Sequence, residues 1–418
     1  MNQSLRKPLL LWFLATSFFA FQFILRLSAG ILREEIIQKF SIDTIAFGTL
    51  AGYYYLGYAG MQIPIGIMLD KYNFRYVSFI SILIAAIGIL TFVFSTNWHY
   101  LLIGRFMIGA GSAVGFLSIT KITKTYFPPK YHSLMLGFSF TFGLTGAVFG
   151  VTPMKILFNF FGYSNTFIVL ALVCSVIAIL MLLVNSEKIP RYEEENISGN
   201  SSLSQIFKLL LNPTILIIGI SGGLMVGPLE GFGDVWAIPF FEQNYGMSST
   251  DSSIVTSCIY IGMCFGGPVL AIVSDFFQSP NFMIILTGLL MIVIFAILLC
   301  LQDSSFFCSS FLMFLLGIFC CYQVLVFTIV TNLVKTEYSG IAVAIVNCIN
   351  MSFGHFFHKT MSILIQHNWN GKLSALGMPL YSKDDFIISI AIIPICCSIG
   401  ILGFIYIWAR KKTQKKTA

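Results

Sequence analysis

The stretch Tyr54–Arg75 reads YYLGYAGMQIPIGIMLDKYNFR and joins two long apolar runs through a short charged turn. The apolar run before the turn ends at Asp70 and Lys71, and Arg75 opens the next one. Asp70 and Lys71 therefore stand where a membrane-spanning helix emerges into water. Gly66 lies four residues before Asp70 on the same helical face, so it can let a neighbouring helix approach closely.

The pattern Gly-x-x-x-Asp-Lys-x-Asn-x-Arg in this stretch resembles the loop motif between helices 2 and 3 of the major facilitator superfamily. It departs from that motif at Phe74, where the family often carries a second basic residue. The resemblance implies that the aspartate braces a cytoplasmic gate between the two halves of a transporter. A weaker copy, Ser274-Asp275, ends another apolar run about half a chain later. The predicted gating residues are Gly66, Asp70, Lys71, Arg75 and Asp275.

The resemblance also implies the fold: an all-α membrane protein with twelve transmembrane helices in two pseudo-symmetric six-helix bundles. Three stretches, Phe40–Arg75, Tyr126–Pro129 and Gly231–Pro239, are most similar to the proteobacterial intraphagosomal amino-acid carriers and the lysosomal dipeptide carriers. This narrower similarity implies uptake of amino acids, short peptides or similar nutrients across a bacterial cytoplasmic membrane.

Composition independently indicates a membrane protein. The chain has 418 residues, of which 57% are hydrophobic and only 10% are charged, and its mean hydropathy is +0.87. A soluble domain carries roughly 25% charged residues. Because one spanning helix needs about 20 apolar residues, twelve spans with short loops occupy most of this length. The ten cysteines lie in apolar runs without metal-ligand or redox spacing, so no cofactor and no metal site is expected.

The net charge of +7 is explained by where the basic residues fall. Most of the 24 Lys and Arg lie in predicted inner loops and near the two ends, as in Arg410–Lys416. This asymmetry follows the positive-inside rule, which predicts cytoplasmic termini and an even number of spans. Together with the resemblance, it predicts a monomer whose partners are the lipid bilayer, a small-molecule substrate and a coupling proton, with no nucleic acid.

Hydropathy divides the chain into two halves of six predicted spans each. The predicted spans are 9–30, 45–69, 76–95, 99–125, 133–158, 163–184, 210–238, 250–276, 281–301, 305–334, 339–366 and 386–409. The chain is accordingly predicted to comprise a first bundle at 1–184, a polar cytoplasmic linker at 185–209 and a second bundle at 210–418. In the fifth span, Gly137, Gly143, Gly146, Gly150 and Pro153 let the helix pack tightly and bend.

Arg26 is the first candidate for substrate binding. It lies about 17 residues into the first span, or ~25 Å at 1.5 Å per residue, which places it in the outer third. Such an arginine either faces a cavity, where its planar group suits a carboxylate, or snorkels to the interface. The nearby polar residues follow helical spacing on the first two spans, although such stripes also pack helices. The predicted substrate-binding residues are Arg26, Gln22, Tyr54, Tyr58 and Gln62.

Charged residues also lie inside two other predicted spans. Arg105, followed by Gly109, resembles the helix 4 motif of the superfamily, which implies a role in proton coupling; a structural hydrogen-bonding role is the alternative. In the seventh span, Glu230 and Asp234 are four residues apart, and the Gly and Pro residues around them predict an interrupted helix. Two such carboxylates could share a proton or hold an ammonium group, unless they form an outer helix end in water. The predicted proton-coupling residues are Glu230, Asp234 and Arg105.

A polar stripe runs along the eleventh predicted span and comprises Asn347, Asn350, Gly354 and His358. Histidine titrates near neutral pH. Histidines near an outer helix end are, however, more often interfacial, so this stripe is a weaker candidate than the charged positions.

These features predict a secondary active transporter, most simply a proton-coupled importer of an amino acid or short peptide, and not an enzyme. Three alternatives stay open: an exporter of drugs or siderophores, an antiporter for organic anions that uses Arg26 and Arg105, and a membrane-embedded sensor or enzyme. The last is disfavoured, because the sequence contains no Ser/His/Asp set, nucleotide-binding loop or cytoplasmic signalling domain.

Overall fold

The computed structural model describes residues 3–184, 203–301, 303–335, 338–373 and 379–417. These residues are predominantly helical, and their one isolated antiparallel bridge joins Leu373 to Pro379. The N-terminal helices are α1 (Gln3–Ile31), α2 (Arg33–Phe40), α3 (Thr44–Lys71), α4 (Phe74–Phe94), α5 (Trp98–Ser112), α6 (Val114–Tyr126), α7 (His132–Phe149), α8 (Thr152–Phe161) and α9 (Tyr163–Leu183). The C-terminal helices are α10 (Leu203–Leu210), α11 (Pro213–Leu224), α12 (Ala237–Tyr245), α13 (Ser249–Phe277), α14 (Pro280–Cys300), α15 (Phe306–Cys320), α16 (Tyr322–Thr331), α17 (Ser339–Asn368), α18 (Lys383–Ile390) and α19 (Ile392–Thr417).

The predicted all-α membrane fold is confirmed. Within the described residues, 10 helical stretches are long and apolar enough to cross a membrane, and the bent pair α7 and α8 is an eleventh candidate. The predicted fifth span bends by 45°, at the break after Phe149. The remaining predicted span corresponds to α3, whose tyrosines and glycines lower its hydropathy. Its 28 residues are nevertheless long enough to cross, at ~42 Å.

The helices group into two compact units. Unit 1 takes its described residues from Met1–Ser28 and Tyr53–Asn200, and unit 2 takes them from Ala29–Gly52 and Ser201–Ala418. We call Ala29–Gly52 the crossover segment, because it groups with the C-terminal half although it lies in the N-terminal part of the chain. The domain boundaries predicted from the sequence stay predictions. Residues 185–202 of the predicted linker lie outside the described residues, and the remainder of that linker lies in α10.

Glycines set the helix crossings of unit 1. A Cβ at Gly109 of α5 would lie 1.9 Å from the backbone oxygen of Tyr54, and one at Gly146 of α7 would lie 1.9 Å from that of Ala20. No other residue fits at such distances, so these crossings depend on glycine. They fix α3 against α5 and α1 against α7, and α1 and α3 carry the predicted substrate-binding residues.

The seventh span is interrupted, as the sequence predicts. Between α11 and α12, residues Gly227–Trp236 form a π-helical segment whose hydrogen bonds run from i to i+5, a geometry found frequently at functional sites. The tenth span is also interrupted, at Cys321, which the sequence does not predict. There the Cys321 N–H bonds the Ile318 oxygen at 3.2 Å and the Val324 N–H bonds the Cys321 oxygen at 3.0 Å. These i to i+3 bonds tighten the junction of α15 and α16.

Candidate functional site

Arg26 lies inside unit 1 and is only 8% exposed. Its guanidinium carbon stands 5.6 Å from the ring centroid of Phe23 and 5.2 Å from that of Tyr55. Aromatic faces attract a cation, and the attraction grows as water is removed. The side chain is therefore packed between α1 and α3, and its planar group rests on rings.

The other four predicted substrate-binding residues lie around the same position. The Tyr54 hydroxyl donates to Gln22 Oε1 at 3.3 Å, and the rings of Tyr54 and Tyr58 stack with centroids 6.1 Å apart. The Tyr58 hydroxyl lies within hydrogen-bonding reach of the side chains of Gln22 and Gln62, and all four residues are buried. The structure thus brings Arg26, Gln22, Tyr54, Tyr58 and Gln62 into one buried group, which we call the arginine cluster.

Arg105 of α5 holds the backbone of α1 beside this cluster. Its Nη1 donates to the Leu25 oxygen at 2.7 Å and its Nη2 donates to the Arg26 oxygen at 2.6 Å. Its guanidinium carbon also lies 5.0 Å from the Tyr54 ring centroid. These contacts match the structural hydrogen-bonding role that the sequence leaves open for Arg105, and they position the turn of α1 that carries Arg26.

The gating motif makes contacts within unit 1. Asp70 Oδ1 lies 3.4 Å from Lys121 Nζ on α6, and the two side chains are 68% and 25% exposed. Arg75 is buried, and its Nη1 donates to the Val184 oxygen at 3.0 Å, beyond the end of α9. Lys71 is exposed. Arg75 therefore anchors the start of α4 to α9, while the charges of Asp70 and Lys71 face water.

Two other predicted gating residues, Gly66 and Asp275, lie on open helix surfaces. No atom of the described residues lies within 4 Å of the place that a Cβ of Gly66 would take. Gly66 therefore leaves room beside α3 for a neighbouring helix, and its gating role stays a prediction. Asp275 lies exposed in the last turn of α13, where its backbone oxygen accepts the Gln278 N–H at 3.2 Å.

Glu230 and Asp234 both lie in the π-helical segment of unit 2. Glu230 is 0% exposed and Asp234 is 6% exposed, so neither is part of a helix end in open water. Asp234 Oδ1 accepts a hydrogen bond from the Tyr260 hydroxyl of α13 at 2.8 Å. Glu230 lies deeper, within electrostatic range of the side chains of Cys320 and Tyr322 at the interruption of the tenth span. The two carboxylates therefore have different surroundings.

The crossover segment is bound to the rest of unit 2 by contacts that the sequence does not predict. The Thr44 hydroxyl bonds the Tyr381 hydroxyl, which donates in turn to Gln366 Oε1 at 2.8 Å. The Arg33 guanidinium carbon lies 5.6 Å from a ring centroid of Trp236. Burial raises the pKa of Tyr381, so its hydroxyl keeps the proton that this chain of bonds needs.

Two glycines of the crossover segment seat α3 directly on α17. A Cβ at Gly48 would lie 2.3 Å from Ser362 Oγ, and one at Gly52 would lie 2.2 Å from His355 Nδ1. Gly48 and Gly52 form a small-xxx-small pair, the usual sequence signal for such a contact. That signal is present in the sequence, but it does not say which helix is the partner.

Comparison with known proteins agrees with the family resemblance of the sequence. Residues 11–357 match the family model of the Major Facilitator Superfamily. The chain is 22% identical over 268 residues to the uncharacterized transporter YybO of Bacillus subtilis (strain 168), across 58% of this chain and 60% of that protein. The match thus spans about 60% of the length of this curated relative.

Two solved structures have a similar fold. One is a bacterial homolog of the human lysosomal transporter Spinster, with a TM-score of 0.76 and 15% identity over 97% of this chain and 98% of that chain. The other is the nucleoside transporter NupG, with a TM-score of 0.72 and 13% identity over 96% and 99% of the two chains. At these identities the likeness concerns the fold alone.

Proposed function

The chain belongs to the Major Facilitator Superfamily, and on that basis we propose that it imports amino acids or short peptides together with protons across a bacterial cytoplasmic membrane. It is a multi-pass membrane protein and a secondary transporter of small molecules, not an enzyme. The proposal therefore concerns the class of substrate and the coupling ion, and both are argued from the residues of the two units.

The arginine cluster is the observation that carries the proposal. It combines one cation, two amides and two phenols that are buried beside the aromatic rings of Phe23 and Tyr55. The planar guanidinium of Arg26 can grip a carboxylate with two parallel hydrogen bonds, whereas the amides and phenols can meet the remaining polar groups of a small solute. A carboxylate is common to free amino acids and short peptides, which makes them the best-fitting class.

Proton coupling is proposed from Glu230 and Asp234. Taking a charged carboxylate out of water is costly, so a buried acid readily exchanges a proton when its surroundings change during transport. Intramembrane acids of this kind commonly serve as proton relays in transporters. The fully enclosed position of Glu230 makes it the first candidate for the transported proton.

An antiporter for organic anions is less well supported. Such a carrier needs more than one cavity arginine, and both terminal nitrogens of Arg105 already donate to backbone oxygens of α1. Arg105 therefore holds the backbone of α1, and its terminal nitrogens are poorly placed to bind a substrate anion as well.

The proposal is tested by transport into vesicles that contain the purified full-length chain. Labelled amino acids and dipeptides are compared with organic phosphates and a cationic dye, each with and without an inward proton gradient. We expect uptake of an amino acid or dipeptide that rises with the gradient and stops when a protonophore is added. Transport of the phosphates or the dye alone, or uptake that ignores the gradient, would contradict the proposal.

A further inference from the structure

Helices α11, α16 and α17 of unit 2 bring together a group of buried polar atoms that the proposed function does not use. Tyr322 is fully buried at the start of α16, and its hydroxyl donates to the Gly222 oxygen at 2.7 Å. This oxygen belongs to the last turn of α11 and also accepts the Met225 N–H at 3.0 Å. One side chain thus ties the interruption of the tenth span to that of the seventh.

The side chain of Asn350, on α17, lies beside Gly222. A Cβ at Gly222 would lie 3.2 Å from Asn350 Oδ1 and 3.8 Å from its Nδ2. Asn350 is 1% exposed, and neither Oδ1 nor Nδ2 has a hydrogen-bond partner among the described residues. A buried polar group without a partner costs about 1–3 kcal/mol. Proteins usually satisfy such groups with buried water.

We propose that Asn350 and the Tyr322 hydroxyl hold bound water between α11, α16 and α17, and that this water gives Glu230 a hydrogen-bonded route for its proton. Asn350 offers both a donor and an acceptor, and the Tyr322 hydroxyl can accept while it donates to Gly222. The inference rests on the proposed function, because it supplies the path for the proton assigned there to Glu230.

The position of Glu230 supports this route. It follows Gly222 by about two helical turns on the same span. The titratable groups within electrostatic range of Tyr322 are Glu230, Cys320 and Cys397. Both thiols are free and buried. Of these groups the carboxyl is the one that ordinarily titrates below neutral pH, so it is the group that a water chain would serve.

The test replaces Asn350 by an apolar residue of similar size. Asn350→Leu is compared in vesicles with wild type and with Asn368→Leu, which makes the same change at the exposed end of α17. We expect gradient-driven uptake to fall about tenfold in Asn350→Leu, which corresponds to one lost hydrogen bond along the route. Exchange of substrate at equal pH should stay normal, because it needs no net proton movement. Tyr322→Phe should likewise lower gradient-driven uptake and leave exchange normal.

Each other outcome overturns the inference. If Asn350→Leu keeps normal gradient-driven uptake, no water at this place serves the proton. If exchange falls together with uptake, Asn350 supports binding or folding instead. Glu230→Gln separates this failure from failure of the proposed function. A Glu230→Gln protein that still accumulates substrate contradicts the proposed coupling. A coupling defect in Glu230→Gln together with a normal Asn350→Leu removes only the water route.

Discussion

At the scale of single residues, two arginines of unit 1 take different roles although both are buried. Arg105 donates to two backbone oxygens of α1, and one of them is the oxygen of Arg26. Arg26 rests its own guanidinium on the rings of Phe23 and Tyr55. Arg105 is therefore a positioning residue, and Arg26 is the group that we assign to the substrate.

The first prediction concerns Arg26. If it grips a substrate carboxylate, Arg26→Ala removes charge-assisted hydrogen bonds of about 1.5–3 kcal/mol and weakens the uptake affinity roughly tenfold to hundredfold. Arg26→Lys keeps the charge but loses the planar fork, so its affinity should lie between those of wild type and Arg26→Ala. The measurement is the half-saturating substrate concentration at matched amounts of inserted protein.

The control for this series is Arg6→Ala, a similar change at the exposed, opposite end of α1, which should leave the affinity unchanged. An arginine that merely snorkels makes a different prediction, because lysine snorkels equally well. An Arg26→Lys protein that matches wild type would therefore remove Arg26 from the binding site.

At the scale of elements, the crossing of α3 and α5 depends on Gly109. In Gly109→Ala the new Cβ would lie 1.9 Å from the Tyr54 backbone oxygen, so the helices must separate. Overpacking of this kind costs about 1–3 kcal/mol. We expect a lower melting temperature in detergent and a weaker uptake affinity, because Tyr54 belongs to the arginine cluster.

The matched control is Gly60→Ala on α3, where no atom of the described residues lies within 4 Å of the new Cβ. Alanine also favours a helix over glycine by about 1 kcal/mol. Gly60→Ala should therefore melt at the wild-type temperature or above it. If the two changes lower the melting temperature equally, the close crossing at Gly109 is not the cause of the destabilisation.

The crossover segment gives a second prediction at this scale. Tyr381→Phe removes the hydroxyl between Thr44 and Gln366, two hydrogen bonds of about 1 kcal/mol each. Backbone amides of the crossover segment should then exchange with deuterium about 5–30 times faster, the factor that 1–2 kcal/mol gives. Amides of α4 in unit 1 serve as the internal reference and should not change.

The pH dependence of this effect follows from the Tyr381 pKa. Burial raises that pKa above its ordinary value of 10.0. A raised pKa means that the stabilisation is complete below the unfolded value and is lost only as pH rises through the folded value. The difference between wild type and Tyr381→Phe should therefore stay constant from about pH 6 to pH 9. A difference that fades within this range would contradict the assigned bonds.

The sequence predicts those helix bends and interruptions that are caused by residues at the same point of the chain. The bend after Gly150 and the interruption near Glu230 both follow from glycine and proline, which act on the backbone where they stand. The interruption at Cys321 has no glycine or proline at the break itself, so the local sequence does not mark it. At Gly66 the sequence pattern permits a close helix contact, and this structure leaves the space beside the glycine open.

At the scale of the whole molecule, the sequence predicts the number and order of spans but not how they group. Hydropathy and charge act along the chain, so they mark each span. The grouping of the crossover segment with the C-terminal half depends instead on contacts between residues far apart in sequence, such as Thr44 with Tyr381 and Gly48 with Ser362. Helical spacing places Gln22 with Arg26 on one face of α1, and Tyr54 with Tyr58 and Gln62 on one face of α3. The contact between these two faces depends on how the helices pack, which the spacing does not predict.

The last prediction concerns Asp70 and transport as a whole. In this structure Asp70 pairs with Lys121 at 3.4 Å, and the Asp70 side chain is 68% exposed. An exposed ion pair contributes about 0–1 kcal/mol, so its loss alone changes little. The family motif implies a stronger role, in which Asp70 braces the cytoplasmic gate through charge-assisted bonds of about 1.5–3 kcal/mol. Asp70→Asn should then slow transport about tenfold or more at an unchanged amount of inserted protein.

Lys121→Gln decides between the two roles, because it removes the observed partner and leaves Asp70 in place. If Asp70 braces the gate, Lys121→Gln should transport nearly as well as wild type, and the double variant should be as slow as Asp70→Asn. If both single variants are equally slow and the double variant is no slower, the pair with Lys121 accounts for the effect and the gating role is contradicted. A normal rate in Asp70→Asn would mean that the motif does not gate the proposed transport. Initial uptake rates at saturating substrate, each normalised to inserted protein, distinguish these cases.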